Sequence, residues 1–138
     1  MAASPIYQRD RGFHLVLLPG MGQWRSSAIY SYFAGWTDIP IGMLEARIYL
    51  HTVDIGYVLA RKNWGIGLMP EAVAAFTELA LAQLACFRVQ ATCDIENNAS
   101  ARTLEKAGFM REAVLQRYTV HPNISSVSRP CFMYARCK

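Results

Sequence analysis

No apolar run in this 138-residue chain is long enough to cross a bilayer. The opening MAASPIYQRDRG lacks the charged, then apolar, then small-residue order of a secretory leader, so a cytoplasmic location is expected. CxxC spacing is also missing, and Cys86, Cys93, Cys131 and Cys137 are therefore expected as free thiols rather than two disulfides. The histidines, His14, His51 and His121, are scattered and HExxH is absent, so no metal is expected. Neither GxxxxGK followed by Ser or Thr nor GxGxxG occurs, which excludes the usual nucleoside-triphosphate and dinucleotide loops. Charged residues make up only 17% of the chain, and its net +4 is spread out rather than gathered in a block. That pattern argues against nucleic acid as a partner and weakly for an anionic ligand, a solvated basic surface being the plainer account.

What the chain has is a core. Apolar residues reach 53%, far too many for a disordered protein, and no repeat or linker interrupts them. One domain over residues 1–138 is expected. The stretch from Ile55 to Ala72, IGYVLARKNWGIGLMPEA, reads as a strand buried on both faces, a tight glycine loop and the start of a helix. Gly65 and Gly67 can bring bare backbone N–H groups close to a ligand, and Pro70 and Glu71 suit a first helical turn. A helix N-terminus behind such a loop attracts anions. An ordinary strand-to-helix turn accounts for the glycines equally well on spacing alone.

Elsewhere the pattern predicts an α/β chain. His14 to Leu18 is a short apolar run that suits a strand, whereas Ala28 to Trp36 gives no clean choice between helix and strand. Ile39 to Ala60 reads as two antiparallel strands turning near His51 and Thr52. Glu71 to Cys86 is predicted as a helix so apolar that only Thr77, Glu78 and Gln83 are left to face water. Phe87 to Asp94 alternates as a strand. Asn97 or Asn98 then caps a helix over Ala99 to Ala107, ended by Gly108 in the left-handed position. Ala113 to His121 and Cys131 to Arg136 follow as strands on either side of a polar loop.

The glycine loop together with NNASARTLEKAGF, from Asn97 to Phe109, resembles the GNAT N-acetyltransferase superfamily. WGxG, NxxS and KxGF in this order are most similar to the branch that contains ribosomal-protein N-terminal acetyltransferases, and the likeness covers roughly residues 39–138. It implies a mixed, mostly antiparallel central sheet with flanking helices, and acetyl-CoA as cofactor. By the resemblance, the backbone of Val58, Leu59 and Ala60 lends the strand edge, exposed beyond a β-bulge, on which the pantetheine lies and the thioester carbonyl is polarised. Lys62, Asn63, Trp64, Gly65, Ile66, Gly67, Leu68 and Met69 form the pyrophosphate loop, with Lys62 where many members carry Gln or Arg. Asn98 and Ser100 flank the pantetheine and adenosine arms, and Arg102 with Lys106 can meet the adenosine phosphate.

The catalytic residues follow the family less closely. Asp54 occupies the position of the base in histone-acetylating members, though a strand-end Asp held by a turn is the plainer account, and Glu45 is a second candidate. The Tyr that several members place just ahead of the GF pair is Leu104 here. Ser100 matches the proton donor of the ribosomal-protein branch, while that branch's later carboxylate is replaced by Thr119, beside Tyr118. Tyr118 and His121 remain acceptor-side candidates. Residues 1–38 match poorly and the loop arrives early, which implies an acceptor wall that is reduced, rebuilt or lent by a second copy in a homodimer. The expectation is direct acetyl transfer from acetyl-CoA to a primary amine, of a protein N-terminus, a lysine or a small molecule, in a ternary complex. The alternative is a non-catalytic acyl-CoA-binding or partner-binding module on the same fold.

Overall fold

The computed structural model describes residues 39–138 throughout and, for the earlier chain, the backbone of three strands, residues 5–9, 13–17 and 28–34. The strands form one sheet in the order β1-β2-β3-β4-β5-β6-β8-β7. These are β1 Pro5–Arg9, β2 Phe13–Leu17, β3 Ala28–Ala34, β4 Pro40–Tyr49, β5 Thr52–Leu59, β6 Arg88–Asp94, β7 Met110–Thr119 and β8 Arg129–Cys137. Two helices, α1 Leu68–Leu81 and α2 Asn98–Lys106, join β5 to β6 and β6 to β7. The Ala28 to Trp36 stretch, open between helix and strand in the sequence, is a strand as far as Ala34, and its last two residues lie outside the described ones.

Among the described residues every strand pair is antiparallel except β5–β6, as the mixed and mostly antiparallel expectation required. That parallel seam is short. It joins Thr52, Val53 and Asp54 to Arg88, Val89 and Gln90, and beyond Asp54 the two strands pair no further. The sheet therefore opens into a wedge between the second half of β5 and the second half of β6. The β4–β5 register runs without a shift, whereas β4 carries an extra residue at Ile41 against β3. The bulge expected near the splayed strand thus belongs to the neighbouring strand pair.

β5 is buried on one face only, which corrects the two-faced reading. Val53 and Ile55 are buried under α1, but Val58 is 57% exposed because no described helix covers its side. Under the helices, Leu44, Val53, Val73, Phe76, Val89 and Leu104 interlock in a continuous core. α1 begins three residues before its predicted start and ends five before its predicted end. The carbonyl of His51 accepts from the N–H groups of Phe87 (2.9 Å) and Arg88 (3.3 Å), so the chain must leave the helix early to feed the parallel seam. Thr77 is wholly buried rather than facing water, and Leu79 takes the exposed place.

α2 begins at Asn98, with Asn97 as its cap: the Asn97 side-chain oxygen accepts from the N–H of Ser100 at 3.1 Å. Gly108, with φ of +88°, lets the chain reverse into β7. Beneath the helix, Leu104 is fully buried. The leucine that stands where the resemblance would place a tyrosine therefore fills the core.

Candidate functional site

The loop from β5 to α1 is built from local geometry. Arg61–Asn63 make one 3₁₀ turn, closed by the Asn63 N–H on Ala60 O (2.9 Å) and the Trp64 N–H on Arg61 O (3.1 Å). Gly65 and Gly67 both sit at φ +79°, a conformation that side chains strain against. A Cβ added at either would meet nothing within 4 Å, so the space over the loop is open. Among the described residues no protein acceptor meets the N–H groups of Gly65, Ile66 or Gly67. Gly67 also starts α1 without any side-chain cap. Bare donors and the positive end of a helix dipole thus converge on empty space, the arrangement that holds a phosphate.

That space belongs to a cavity of about 460 Å³ in the wedge between β5 and α2. Of the expected cofactor residues, Val58, Leu59, Asn63, Trp64 and Gly65 line it, as do Gly67, Leu68, Met69, Ser100 and Arg102. Lys62 and Ile66 belong to the loop but face solvent outside the lining, and Asn98, at the first turn of α2, is exposed there too. Asn97 stands in its place, both capping the helix and lining the cavity. Arg102, Thr103 and Lys106 carry the lining along one face of α2, and no acidic side chain interrupts it. Asn63 Oδ1 is buried in this wall without a hydrogen-bond partner. An open glycine cradle, an orphaned polar atom and two cations fit an elongated, phosphate-bearing ligand.

Strand alternation decides which backbone groups face that ligand. The N–H of Ala60 is committed to Ile41 O on β4, at 2.7 Å. Counting back through the antiparallel register, Val58 also turns its backbone toward β4, while Tyr57 and Leu59 turn theirs into the wedge. Of Val58, Leu59 and Ala60, only Leu59 offers its own edge, and its carbonyl already accepts from the Trp64 indole at 2.7 Å. Trp64, 56% exposed, thereby closes the end of β5 instead of joining the core. Tyr57, absent from the expected set, supplies the other open edge.

Tyr57 also crosses the wedge. Its hydroxyl lies 2.8 Å from Ser100 Oγ and 3.2 Å from the Ser100 carbonyl oxygen. Burial pushes the phenol up to about 12, with the Ser100 hydrogen bond pulling the other way. It stays protonated at neutral pH. The signal for Tyr57 was present in the sequence, since alternation puts it on the same face as Val53 and Ile55, which α1 and α2 cover.

The remaining candidates lie elsewhere. Asp54 accepts from Gln90 Nε2 at 3.1 Å and meets Arg47 Nη2 at 3.6 Å, in the parallel seam and outside the cavity lining. Tyr118, half exposed on β7, and Glu45 on β4 also lie outside it. His121 sits beside Asp94, its Nε2 4.0 Å from the carboxylate that Arg129 grips at 2.6 Å. Among the described residues no three His, Cys, Asp or Glu side chains converge to hold a metal ion. No described helix is long and apolar enough to cross a membrane.

A family model described as an acetyltransferase (GNAT) domain matches residues 10–110. The chain belongs to the GNAT family. A probable N-acetyltransferase of Bacillus subtilis strain 168, YjcK, is 38% identical to this GNAT chain over 92 residues, 64% of the chain and 51% of YjcK. The chain thus spans about half the length of that relative. Among solved structures, a GNAT acetyltransferase from Bacillus anthracis is 27% identical with a TM-score of 0.70, over 79% of this chain and 65% of that one. Mycobacterium smegmatis RimJ, solved with CoA-disulfide, shares the fold at a TM-score of 0.71 and 23% identity, over 81% of this chain and 53% of its own.

Proposed function

We propose that this GNAT domain transfers an acetyl group from acetyl-CoA to a primary amine by direct attack. The observation that carries the reading is the loop of unsatisfied N–H groups at Gly65, Ile66 and Gly67, opening on the cavity that Arg102, Lys106 and Ser100 line. Acetyl-CoA, when bound, supplies a thioester whose carbonyl carbon takes the amine and whose thiolate leaves. The loop N–H groups and the start of α1 hold the pyrophosphate, and Arg102 and Lys106 hold the remaining phosphate charge. The open backbone of Tyr57 and Leu59 aligns the amide-bearing arm. Ser100 gives a proton to the departing sulfur, a role supported by its place in the cavity lining. Asp54, tied to Gln90 and Arg47, is not assigned the base. The acceptor class, protein N-terminus, lysine or small molecule, belongs to the same proposal, as do a cytoplasmic location and a homodimer that completes the acceptor wall.

One observation favours the second reading, a module that binds acyl-CoA without turnover. No carboxylate lines the cavity among the described residues, so no carboxylate base is at hand for the amine's proton. The deciding experiment is thermal melting with and without acetyl-CoA, on the wild type and on Gly65→Glu, followed by thiol release with a panel of amines. A stabilisation of several degrees that the variant loses, with thiol release, supports transfer. Stabilisation without release supports the binding module, and no stabilisation overturns both.

A further inference from the structure

The two hydroxyls that meet across the wedge carry one proton each and compete for direction. The Ser100 N–H is taken by Asn97 Oδ1, and its carbonyl already has a helical partner four residues on. The Ser100 side chain also hydrogen-bonds the buried Cys93 thiol, whose pKa burial raises, and two arrangements satisfy its contacts with Tyr57. In one, Ser100 donates to Tyr57 across 2.8 Å and Tyr57 donates to the Ser100 carbonyl across 3.2 Å. In the other, Tyr57 donates to Ser100 Oγ, and the serine proton is released to an acceptor in the cavity. The first makes two bonds without a ligand. The second makes two as soon as a sulfur or oxygen acceptor arrives.

We infer that Tyr57 is a positioning residue which, by donating to Ser100 Oγ, turns the serine proton toward the cofactor sulfur. The inference rests on the acetyl-transfer reading and extends it. Because the phenol is held well above neutrality by burial, it is a permanent donor, so the arrangement responds to ligand and not to pH. Ser100 gives its Oγ proton to the departing sulfur as the C–S bond breaks and the N–C bond forms. It regains one shed by the attacking nitrogen, and Tyr57 keeps its own throughout. A hydrogen bond accepted by Oγ also stabilises the negative charge that grows there during the transfer.

The test uses free CoA and needs no acceptor. The ionisation of the bound CoA thiol is followed by thiolate ultraviolet absorbance against pH, with the desulfo-CoA complex of the same protein subtracted to remove its own cysteines. Wild type, Tyr57→Phe, Ser100→Ala and the double variant are compared, each shown by melting to be folded and saturated. The wild type is expected to ionise the thiol at lower pH than free CoA. Tyr57→Phe should give back roughly half a unit or more and Ser100→Ala the whole effect, with the double variant identical to Ser100→Ala. On any amine that turns over, Tyr57→Phe should lower kcat about tenfold in the wild type and not at all in Ser100→Ala, with KM for acetyl-CoA unmoved.

Wild-type ionisation in Tyr57→Phe, or a further shift in the double variant, overturns the inference while leaving acetyl transfer standing. If Tyr57→Phe fails to melt cooperatively, Ser100→Ala decides alone, and an unchanged thiol overturns it. Absence of any CoA-induced stabilisation of the wild type removes the acetyl-transfer reading and this inference together.

Discussion

The side-chain amide of Gln90 donates to the carboxylate of Asp54 at 3.1 Å across the β5–β6 seam, and the contact belongs to a chain of polar links. Arg47 meets the same carboxylate from β4. On the other side, Arg88 Nε donates to Gln90 Oε1 at 2.8 Å, and its guanidinium grips Glu112 on β7 through two bonds of 3.1 and 2.7 Å. Five side chains thus lace four strands on the sheet face that the helices leave open, at the level where the wedge is still closed. Replacing Asp54 with Asn is expected to lower stability by about 1 kcal/mol, one charge-assisted hydrogen bond, while leaving turnover within a few-fold of wild type. Denaturant melts paired with initial rates check this. Rates reduced a hundredfold in a protein of unchanged stability would return Asp54 to the role of base.

Arg129 clamps the turn from β6 into α2. Its Nε and Nη2 reach Asp94 at 2.6 and 3.2 Å and Nη2 reaches Glu96 at 2.7 Å, while Asp94 Oδ1 also accepts the Glu96 N–H at 2.9 Å. The Arg129 hydrogen bond, then that N–H, hold the Asp94 carboxyl down to about 2 from its usual 3.8. A depressed folded value means stability that is fully present above pH 3.8 and is lost as pH falls through about 2. Arg129→Met strands the Asp94 carboxylate and is expected to destabilise the domain at pH 7. Chemical melts of variant and wild type should converge as the pH drops from 3.8 toward 2. A gap that stays constant over that window would mean the arginine acts by packing alone.

Thr77 faces the core from α1 at 0% exposure, and its hydroxyl has no hydrogen-bond partner. Val has the same branched shape without the orphaned oxygen. Thr77→Val is therefore expected to stabilise the domain by about 1 kcal/mol, read as a higher denaturant midpoint at unchanged slope. A destabilised variant would reveal a buried partner for that hydroxyl.

The parts of this architecture that were legible in the sequence are those set by neighbours in the chain. The glycine turn at Gly65 and Gly67, a helix cap at Asn97 or Asn98 and the stop at Gly108 each follow from chemistry within a few residues. Orientation across strands was not legible, because it depends on register. The edge expected from Val58 and Ala60 is turned toward β4 by the pairing that puts Gly42 opposite Leu59. Partners distant in sequence were equally hidden: Gln90 lies 36 residues from Asp54 and Ser100 lies 43 from Tyr57. Thr77 was assigned to water because polarity was weighed without knowing that the sheet covers that side of α1. The end of α1 was missed because AQLAC continues the apolar pattern, although Leu84 is 92% exposed and the seam dictates where the helix must stop.

The three-residue seam between β5 and β6 makes the domain two half-sheets welded at one end. Folding leaves the backbone of Tyr57 and the N–H of Leu59 without a strand partner on the wedge side, the Leu59 carbonyl being taken by the Trp64 indole. A ligand with amides along its length can occupy them as a surrogate strand, bracing one half-sheet against the other. Occupancy and rigidity then become a single event. The gap in the sheet is then a slot for a structural member that the two strands do not supply themselves.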